Sequence, residues 1–273
     1  MKRLSGLMIA LAFAASGASA GPSQVVSMNL CTDQLAMMLA APGQLVSVSY
    51  IARDIRASAM AEEAMGWPVN HGLAEEIYLL QPDLVIAGAF STRATTDMLR
   101  RLGIPVVVFQ PAASLDDVRD RILRMGEVLG REDAAEALLA DFDARLAALA
   151  PAGPDRPRAA LYSANGYTSG PKSLAGQIVE AAGLANIAAE LGYDVSGTVP
   201  LELLALSDPD LLIGTSPYPR VSRSEEVLTH PVVRHLAARS AAGQMRDADW
   251  VCGTPHVLRA VGDLVALRPE EPS

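Results

Sequence analysis

The sequence has few aromatic residues, few lysines and little cysteine. Aromatic side chains make up 4% of the 273 residues, and there are two cysteines. Lysine occurs only as Lys2 and Lys172, and 22 basic residues stand against 31 acidic ones, for a formal charge of −9. A non-specific nucleic-acid binder needs a basic surface, so we expect no nucleic-acid partner. The same balance argues against an anionic membrane surface as a partner.

The first twenty residues have the pattern of a secretory signal peptide. Lys2 and Arg3 precede an apolar stretch, 4–15, and an Ala-Ser-Ala triplet then ends at Ala20. The apolar stretch is too short for a spanning helix. We therefore predict cleavage after Ala20 and an exported protein, and disfavour a membrane anchor. A lipoprotein is also disfavoured, because the first cysteine, Cys31, lies well beyond the apolar stretch.

Catalytic sequence motifs are missing after this leader. The chain contains no Gly-x-Ser-x-Gly there, no glycine-rich phosphate loop and no His-Glu-x-x-His. Segment 169–173 has some phosphate-loop character but lacks the first glycine at the required spacing, and we interpret it as a turn before a helix capped by Ser173. We predict no catalytic residue and no resident cofactor or metal. An exported hydrolase-like enzyme remains an alternative, to be tested by turnover of ester substrates.

The two cysteines, Cys31 and Cys252, stand near opposite ends of the chain. In an exported protein a pair of cysteines favours one disulfide. The alternative is two buried free thiols, since cysteine is among the most buried residue types.

Strand-like and helix-like segments alternate along the chain. This order is typical of α/β proteins with parallel sheets and right-handed crossovers. We place N-caps at Thr32 or Asp33 for the first helix. The predicted strands are 24–28, 45–50, 84–87, 104–109, 159–162 and 211–213. The predicted helices are 34–39, 74–80, 95–102, 174–182 and 201–205.

A longer helical pattern runs through the middle of the chain. Apolar residues recur at three- and four-residue steps over 115–149, and a Pro/Gly-rich turn follows. We predict one long helix, or two nearly collinear helices, carrying the chain between lobes. The predicted organisation is listed as signal peptide 1–20, N-terminal α/β lobe 21–113, connecting helix 114–150 and C-terminal α/β lobe 151–273.

An internal repeat relates the two predicted lobes. Gln-Pro-Asp-Leu-Val-Ile at 81–86 corresponds to Asp-Pro-Asp-Leu-Leu-Ile at 208–213. Each segment follows a short helix that contains a glutamate, Glu75 in the first half and Glu202 in the second. The repeat predicts two α/β lobes of similar design.

Four motifs in order resemble one protein family. They are Val-Val-Ser-Met-Asn-Leu at 25–30, Gly-Leu-Ala-Glu-Glu-Ile at 72–77 with the strand 80–86, Ala-Ala-Gly-Leu-Ala-Asn-Ile-Ala at 181–188, and Pro-Leu-Glu at 200–202 with Pro-Asp at 209–210. The chain resembles the periplasmic substrate-binding proteins of ABC importers for cobalamin, ferric siderophores and haem. The resemblance implies two Rossmann-like lobes with central parallel sheets, joined by a long α-helix, and a ligand cleft between them. It also implies a periplasmic location, and we expect a monomer.

Loops that leave the predicted strands supply the candidate ligand-binding residues. In open parallel sheets, ligands sit beyond the carboxyl ends of the strands. Aromatic faces suit a corrin, porphyrin or catecholate, and arginines such as Arg220 suit anionic groups on such a ligand. The candidates are Asn29, Thr32, Asp33, Tyr50, Arg53, Phe90, Arg93, Asn165, Tyr167, Tyr218 and His256.

The resemblance implies a small-molecule metal chelate that carries cobalt or iron as the ligand, and a membrane permease as the partner. We favour cobalamin or a ferric siderophore over haem, because no Tyr/His pair stands out as an iron ligand set. Capture of bare Zn or Mn, with His71 and His256 as ligands, is the alternative. The resemblance implies that Glu75 and Glu202 pair with arginines of the permease; otherwise they are solvated glutamates favoured by the helix dipole.

Overall fold

The computed structural model describes residues 21–215 and 222–268. The predicted signal peptide lies outside this range. The strands are β1 (Val25–Ser27), β2 (Leu45–Ser49), β3 (Val69–Asn70), β4 (Leu84–Gly88), β5 (Val106–Phe109), β6 (Arg158–Leu161), β7 (Tyr167–Ser169), β8 (Ala185–Asn186), β9 (Ser196–Thr198), β10 (Leu211–Thr215) and β11 (Ala241–Met245). The helices are α1 (Leu30–Leu39), α2 (Ala74–Leu79), α3 (Arg93–Arg101), α4 (Leu115–Leu129), α5 (Glu132–Leu149), α6 (Leu174–Ala181), α7 (Ile187–Glu190), α8 (Leu201–Ser207), α9 (Pro231–Arg239), α10 (Asp247–Trp250) and α11 (Val257–Ala266). Within this range, none of the helices combines the length and apolarity that a membrane crossing requires.

The N-terminal sheet has the strand order β3-β2-β1-β4-β5, and every pairing in it is parallel. The predicted parallel arrangement is therefore confirmed. Strand β4 is buried along its whole length, as expected for a central parallel strand covered by helices on both faces. Strand β3 was not predicted, because two residues carry no detectable periodicity.

The C-terminal sheet has the order β11-β10-β6-β8, again with parallel pairings throughout. Strands β7 and β9 form a separate antiparallel pair. Strand β11 was not predicted, because its sequence Ala-Ala-Gly-Gln-Met is poor in the β-branched and aromatic residues that favour strands. Its place at the sheet edge is fixed by pairing with β10.

One core runs through both lobes. The largest buried cluster includes Leu35 and Phe109 from the first lobe, Ile178 and Val261 from the second, and Phe142 from α5 between them. Because this apolar cluster is continuous, separating the lobes would expose it to water at a cost of about 25 cal/mol per Å². The two lobes therefore keep a nearly fixed orientation relative to each other.

The expectation of one long helix, or of two nearly collinear helices, over 114–150 is wrong. Helices α4 and α5 pack antiparallel, as a hairpin, with Arg119 of α4 donating to Asp143 of α5 over 2.7 Å. Helix α4 ends at Gly130, whose φ of 65° is left-handed. At Gly126 a Cβ would overlap the Cβ of Ala135, so the two glycines of the segment turn the chain and let the helices approach. After this hairpin the chain enters the C-terminal sheet at β6.

Candidate ligand-binding cleft

Each sheet has a point where the strand order reverses direction. In the N-terminal sheet it lies between β1 and β4, and in the C-terminal sheet between β6 and β10. Ligands of open α/β sheets bind beyond the carboxyl ends of the strands at such points. A pocket lies at each of the two positions.

The N-lobe pocket encloses about 150 Å³. Asn29, which follows β1, is the N-cap of α1 and accepts a hydrogen bond from the backbone N–H of Cys31 over 3.1 Å. It packs against Gly88 at the end of β4, where a Cβ would overlap the Asn29 side chain. The lining residues are Asn29, Cys31, Gly88, Ala89, Phe90, Phe109, Gln110, Pro111, Arg121, Val251 and Cys252.

Arg121 supplies a positive charge to the N-lobe pocket. Only 8% of this residue is exposed, and its Nη1 donates to the carbonyl oxygen of Cys252 over 2.6 Å. Burial lowers the pKa of Arg121 to about 10, against the opposing effect of Asp117, so the guanidinium is charged at neutral pH. The arrangement favours a ligand with an anionic group near this pocket.

The C-lobe pocket also encloses about 150 Å³ and is mostly apolar. Tyr167 and Trp250 supply aromatic faces, and 47% of Tyr167 is exposed. Such faces suit a flat conjugated ligand. The lining residues are Leu161, Ser163, Tyr167, Thr168, Ser169, Ala175, Ile213, Gly214, Thr215, Met245 and Trp250.

Three consecutive residues join the two pockets. Trp250 lines the C-lobe pocket, whereas Val251 and Cys252 line the N-lobe pocket. The pockets are therefore neighbours in one cleft, separated by this short segment. Each is small against the 300–1,000 Å³ of ordinary ligand sites.

A disulfide between Cys31 and Cys252 lies in this cleft, with Cα atoms 4.8 Å apart. It joins the start of α1 in the first lobe to the segment before α11 in the second. Next to it, the hydroxyl of Thr254 donates to the side-chain oxygen of Gln34 over 3.1 Å. The lobes are thus tied covalently and by hydrogen bonding beside the cleft.

Three of the predicted ligand residues line the pockets: Asn29, Phe90 and Tyr167. Phe90 is 88% exposed. Asn165 is exposed in the loop between β6 and β7, where it has a left-handed φ of 57°, and is not among the lining residues. Tyr218, like Arg220, lies outside the described residues.

Thr32 and Asp33 do not line the cleft. Neither of these two residues caps α1, because its N-cap is Asn29. Both are fully buried. Thr32 is within 2.8 Å of the hydroxyl of Ser27, and Asp33 accepts a hydrogen bond from Ser49. The helix begins at Leu30, four residues earlier than the predicted start at position 34, and this shift turns both side chains towards the sheet. Burial raises the pKa of Asp33 to about 6, against the lowering effect of its hydrogen bonds.

Tyr50 and Arg53 follow β2 and have different environments. Tyr50 is 56% exposed and stacks on His71, with ring centroids 5.3 Å apart. Neither ring lines the two pockets, so this Tyr/His contact supplies no iron ligand set in the cleft. Arg53 donates to the backbone oxygens of Ala64 and Trp67, so its guanidinium holds the 50–67 segment in place.

Arg93 and His256 lie outside both pockets. Arg93 is exposed at the first residue of α3. His256 is half-buried, and burial, followed by the charge of Arg259, lowers its pKa to about 4. Over residues 21–215 and 222–268, no three His, Cys, Asp or Glu side chains come close enough to hold a metal ion. The Zn/Mn alternative thus gains no ligand cluster here.

Three pocket-lining residues were not predicted from the sequence: Arg121, Trp250 and Val251. Arg121 falls in the middle of a helical pattern, where an arginine is typical of a solvated face. Trp250 and Val251 directly precede Cys252, which was predicted to form the disulfide. Since the chain has only two tryptophans, one next to that cysteine could have been predicted as a site residue. Glu75 and Glu202 are exposed on α2 and α8, away from the cleft-lining set.

The family model described as "Periplasmic binding protein" matches residues 25–242. The chain belongs to the periplasmic binding protein family. Proteins of this family bind solutes in the periplasm, and the two-lobed α/β fold agrees with it.

Among curated proteins, a "Cobalamin-binding protein" of Halobacterium salinarum is 31% identical over 224 residues, which cover 80% of this chain and 61% of the relative. The chain thus spans about three fifths of that protein's length.

Solved structures with the same fold include a periplasmic heme-binding protein, RhuT, of Roseiflexus sp. RS-1. Its TM-score is 0.69 at 22% identity, over 90% of this chain and 98% of that one. The periplasmic vitamin B12 binding protein BtuF of Vibrio cholerae gives 0.64 at 19% identity, over 90% and 96%. At these identities the likeness shows the fold alone.

Proposed function

We propose that this protein is the solute-binding component of an ABC importer and captures a large metal chelate, with cobalamin first, a ferric siderophore second and haem third. It is exported, cleaved after Ala20, and delivers its ligand to a membrane permease. The observation that carries the proposal is the pair of pockets at matched strand-order reversals of two parallel sheets, with consecutive residues 250–252 lining one pocket or the other.

The chemistry of the cleft supports a large, flat and partly anionic ligand. Phe90, Tyr167 and Trp250 offer aromatic surface, and the Arg121 guanidinium offers charge. The combined cleft is too extended for a bare metal ion. The name of the Halobacterium relative supports cobalamin within this class.

Ligand titration tests the proposal. Purified protein is titrated by calorimetry and tryptophan fluorescence with cyanocobalamin, hemin, several ferric siderophores, ZnCl₂ and MnCl₂. We expect saturable binding of one chelate and a fluorescence change from Trp250. Trp250→Phe should abolish that change, whereas Trp67→Phe should retain it. Binding of Zn or Mn alone would contradict the proposal, as would turnover of ester substrates.

We also propose that Glu75 and Glu202 dock the protein onto the permease. Each is exposed, and among the described residues neither forms an ion pair. Exposed pairs contribute only about 0.2–1 kcal/mol each, so their main contribution is orientation and association rate. Glu75→Arg with Glu202→Arg should leave chelate affinity unchanged and impair transport. Normal transport at low protein concentration would contradict this role.

A further inference from the structure

Helices α2 and α8 are equivalent in the internal repeat, residue by residue. The same number of residues separates Glu75 from Glu202 and Leu79 from Leu206. The buried positions also match, since Ile77 is 0% exposed and its counterpart Leu204 is 1% exposed. The two helices therefore present corresponding faces to solvent.

Those faces carry exposed leucines. Leu79 is 78% exposed and Leu206 is 80% exposed, each four residues after the glutamate of its helix. Positions i and i+4 lie on one face of a helix, so each leucine lies beside its glutamate. A single exposed leucine needs no explanation. Two with nearly equal exposure at equivalent positions of a repeat, each beside a carboxylate that forms no ion pair within residues 21–215 and 222–268, indicate a shared role.

Each face carries a further exposed apolar side chain. In the first lobe, Tyr78, three residues after Glu75, is 50% exposed. In the second lobe, Leu203 is 39% exposed and adjoins Glu202. Contiguous exposed apolar surface rimmed by charge is typical of protein interaction sites.

The C-terminal ends of α2 and α8 have matching backbone geometry and are hydrogen-bonded to neighbouring strands or strand ends. Gln81 and Asp208 occupy the matched positions after them and share a left-handed backbone, with φ of 49° and 41°. Two residues further on, Asp83 accepts hydrogen bonds from the backbone N–H groups of Ser23 and Gln24, just before β1, and Asp210 accepts one from the backbone of Arg158 in β6. The faces are thus fixed to the ends of the sheets, which reduces the entropy lost on binding a partner.

We propose that Leu79 and Leu206 are apolar anchors for the importer's permease, each entering an apolar recess of the permease beside a basic residue that meets Glu75 or Glu202. The inference rests on the proposed docking function and extends it. The acidic and apolar groups together specify a partner surface with two basic, apolar-floored sites. Glutamates would set the association rate, and leucines would set the lifetime of the complex.

The test compares a leucine variant with a matched control. Leu79→Ser with Leu206→Ser removes both anchors. Leu123→Ser is the control, because Leu123 is a 40% exposed leucine on α4 that shares a groove with Asp120 and Glu127. Association with the importer's permease in nanodiscs is measured by biolayer interferometry at two salt concentrations, and chelate affinity is measured in parallel.

We expect the double serine variant to dissociate at least ten-fold faster at both salt concentrations, with chelate affinity unchanged and the control like wild type. Glu75→Arg with Glu202→Arg should instead slow association in a salt-dependent way. Dissociation within two-fold of wild type would overturn the inference. So would self-association of the protein in sedimentation that the serine variant abolishes, because it would assign the faces to a second copy.

Failure of the wider proposals has a different signature. If the glutamate variant also docks normally, the docking role itself is wrong. If wild-type protein binds no chelate, the proposed transport function is wrong. If only the serine variant behaves like wild type, the anchors alone are rejected.

Discussion

The guanidinium of Arg121 donates a hydrogen bond of 2.6 Å to the carbonyl oxygen of Cys252. Arg121 belongs to α4, and Cys252 carries the disulfide to Cys31 of α1. A buried charge and a covalent bond therefore hold the same C-terminal segment against the first lobe. This segment divides the cleft, so its position sets the shape of both pockets.

The disulfide should be a major source of stability. Its cysteines are 221 residues apart, and in the chain-entropy account a crosslink that closes so long a loop removes much of the freedom of the unfolded state. We expect Cys31→Ser with Cys252→Ser to lower the free energy of unfolding by about 3–5 kcal/mol. Guanidinium denaturation of the variant and wild type measures the difference.

Mass spectrometry of the non-reduced, natively exported protein provides the control. One linked peptide pair containing Cys31 and Cys252 is expected. Two alkylatable thiols would instead mean that the cysteines are free and buried in the native protein, and the stability difference would then report packing alone.

Asp33 and His256 should give opposite pH dependences of stability. In the folded state the Asp33 carboxyl stays protonated up to about pH 6, whereas in the unfolded chain it loses its proton near pH 4. The free energy of unfolding therefore falls as the pH rises from about 4 to about 6. In the folded state the His256 imidazole stays neutral down to about pH 4, whereas in the unfolded chain it is protonated below about pH 6.5. Its contribution to the free energy of unfolding therefore rises from pH 4 to pH 6.5 and is lost on acidification. Each effect amounts to about 2–3 kcal/mol, and the wild-type profile should be nearly flat.

Single variants separate the two effects. With Asp33→Asn, the free energy of unfolding should increase from pH 4 to pH 6.5, because only the histidine effect remains. With His256→Gln it should decrease over the same range. Urea denaturation at a series of pH values measures both slopes. A variant profile with the opposite slope would show that the group named is not the one titrating.

Gly126 should tolerate no side chain. A Cβ there would overlap that of Ala135 where α4 and α5 cross. We expect Gly126→Ala to lower the free energy of unfolding by about 1–3 kcal/mol, despite the better helix propensity of alanine. Adding Ala135→Gly removes the collision and should restore part of the loss. If Gly126→Ala is stabilising, the hairpin packs less closely than the structure has it.

Phe90 should contribute to ligand affinity without contributing to folding. Phe90 is 88% exposed, so Phe90→Ser should change the free energy of unfolding by less than about 0.5 kcal/mol. Loss of a stacking face should weaken chelate binding about tenfold, or about 1.4 kcal/mol. Leu102→Ser, at a 47% exposed residue outside both pockets, is the control for calorimetry. Equal affinity in the two variants would exclude Phe90 from the site.

The sequence alone determined the α/β class, the two parallel sheets and the repeat. These features depend on local patterns, because a buried parallel strand such as β4 is a short continuous apolar run and the Pro-Asp segments mark where such strands begin. It also located Asn29 and Phe90, since residues that follow central strands meet at one sheet edge.

Only the tertiary structure decided the rest. The starting residue of α1 decides that Asn29 caps the helix while Asp33 is buried, and a shift of four residues is invisible in the composition. The left-handed turn at Gly130 decides that α4 folds back on α5, because glycine permits a turn without requiring one. The contact of Arg121 with Cys252 joins residues far apart in the chain, and no local pattern encodes such a contact.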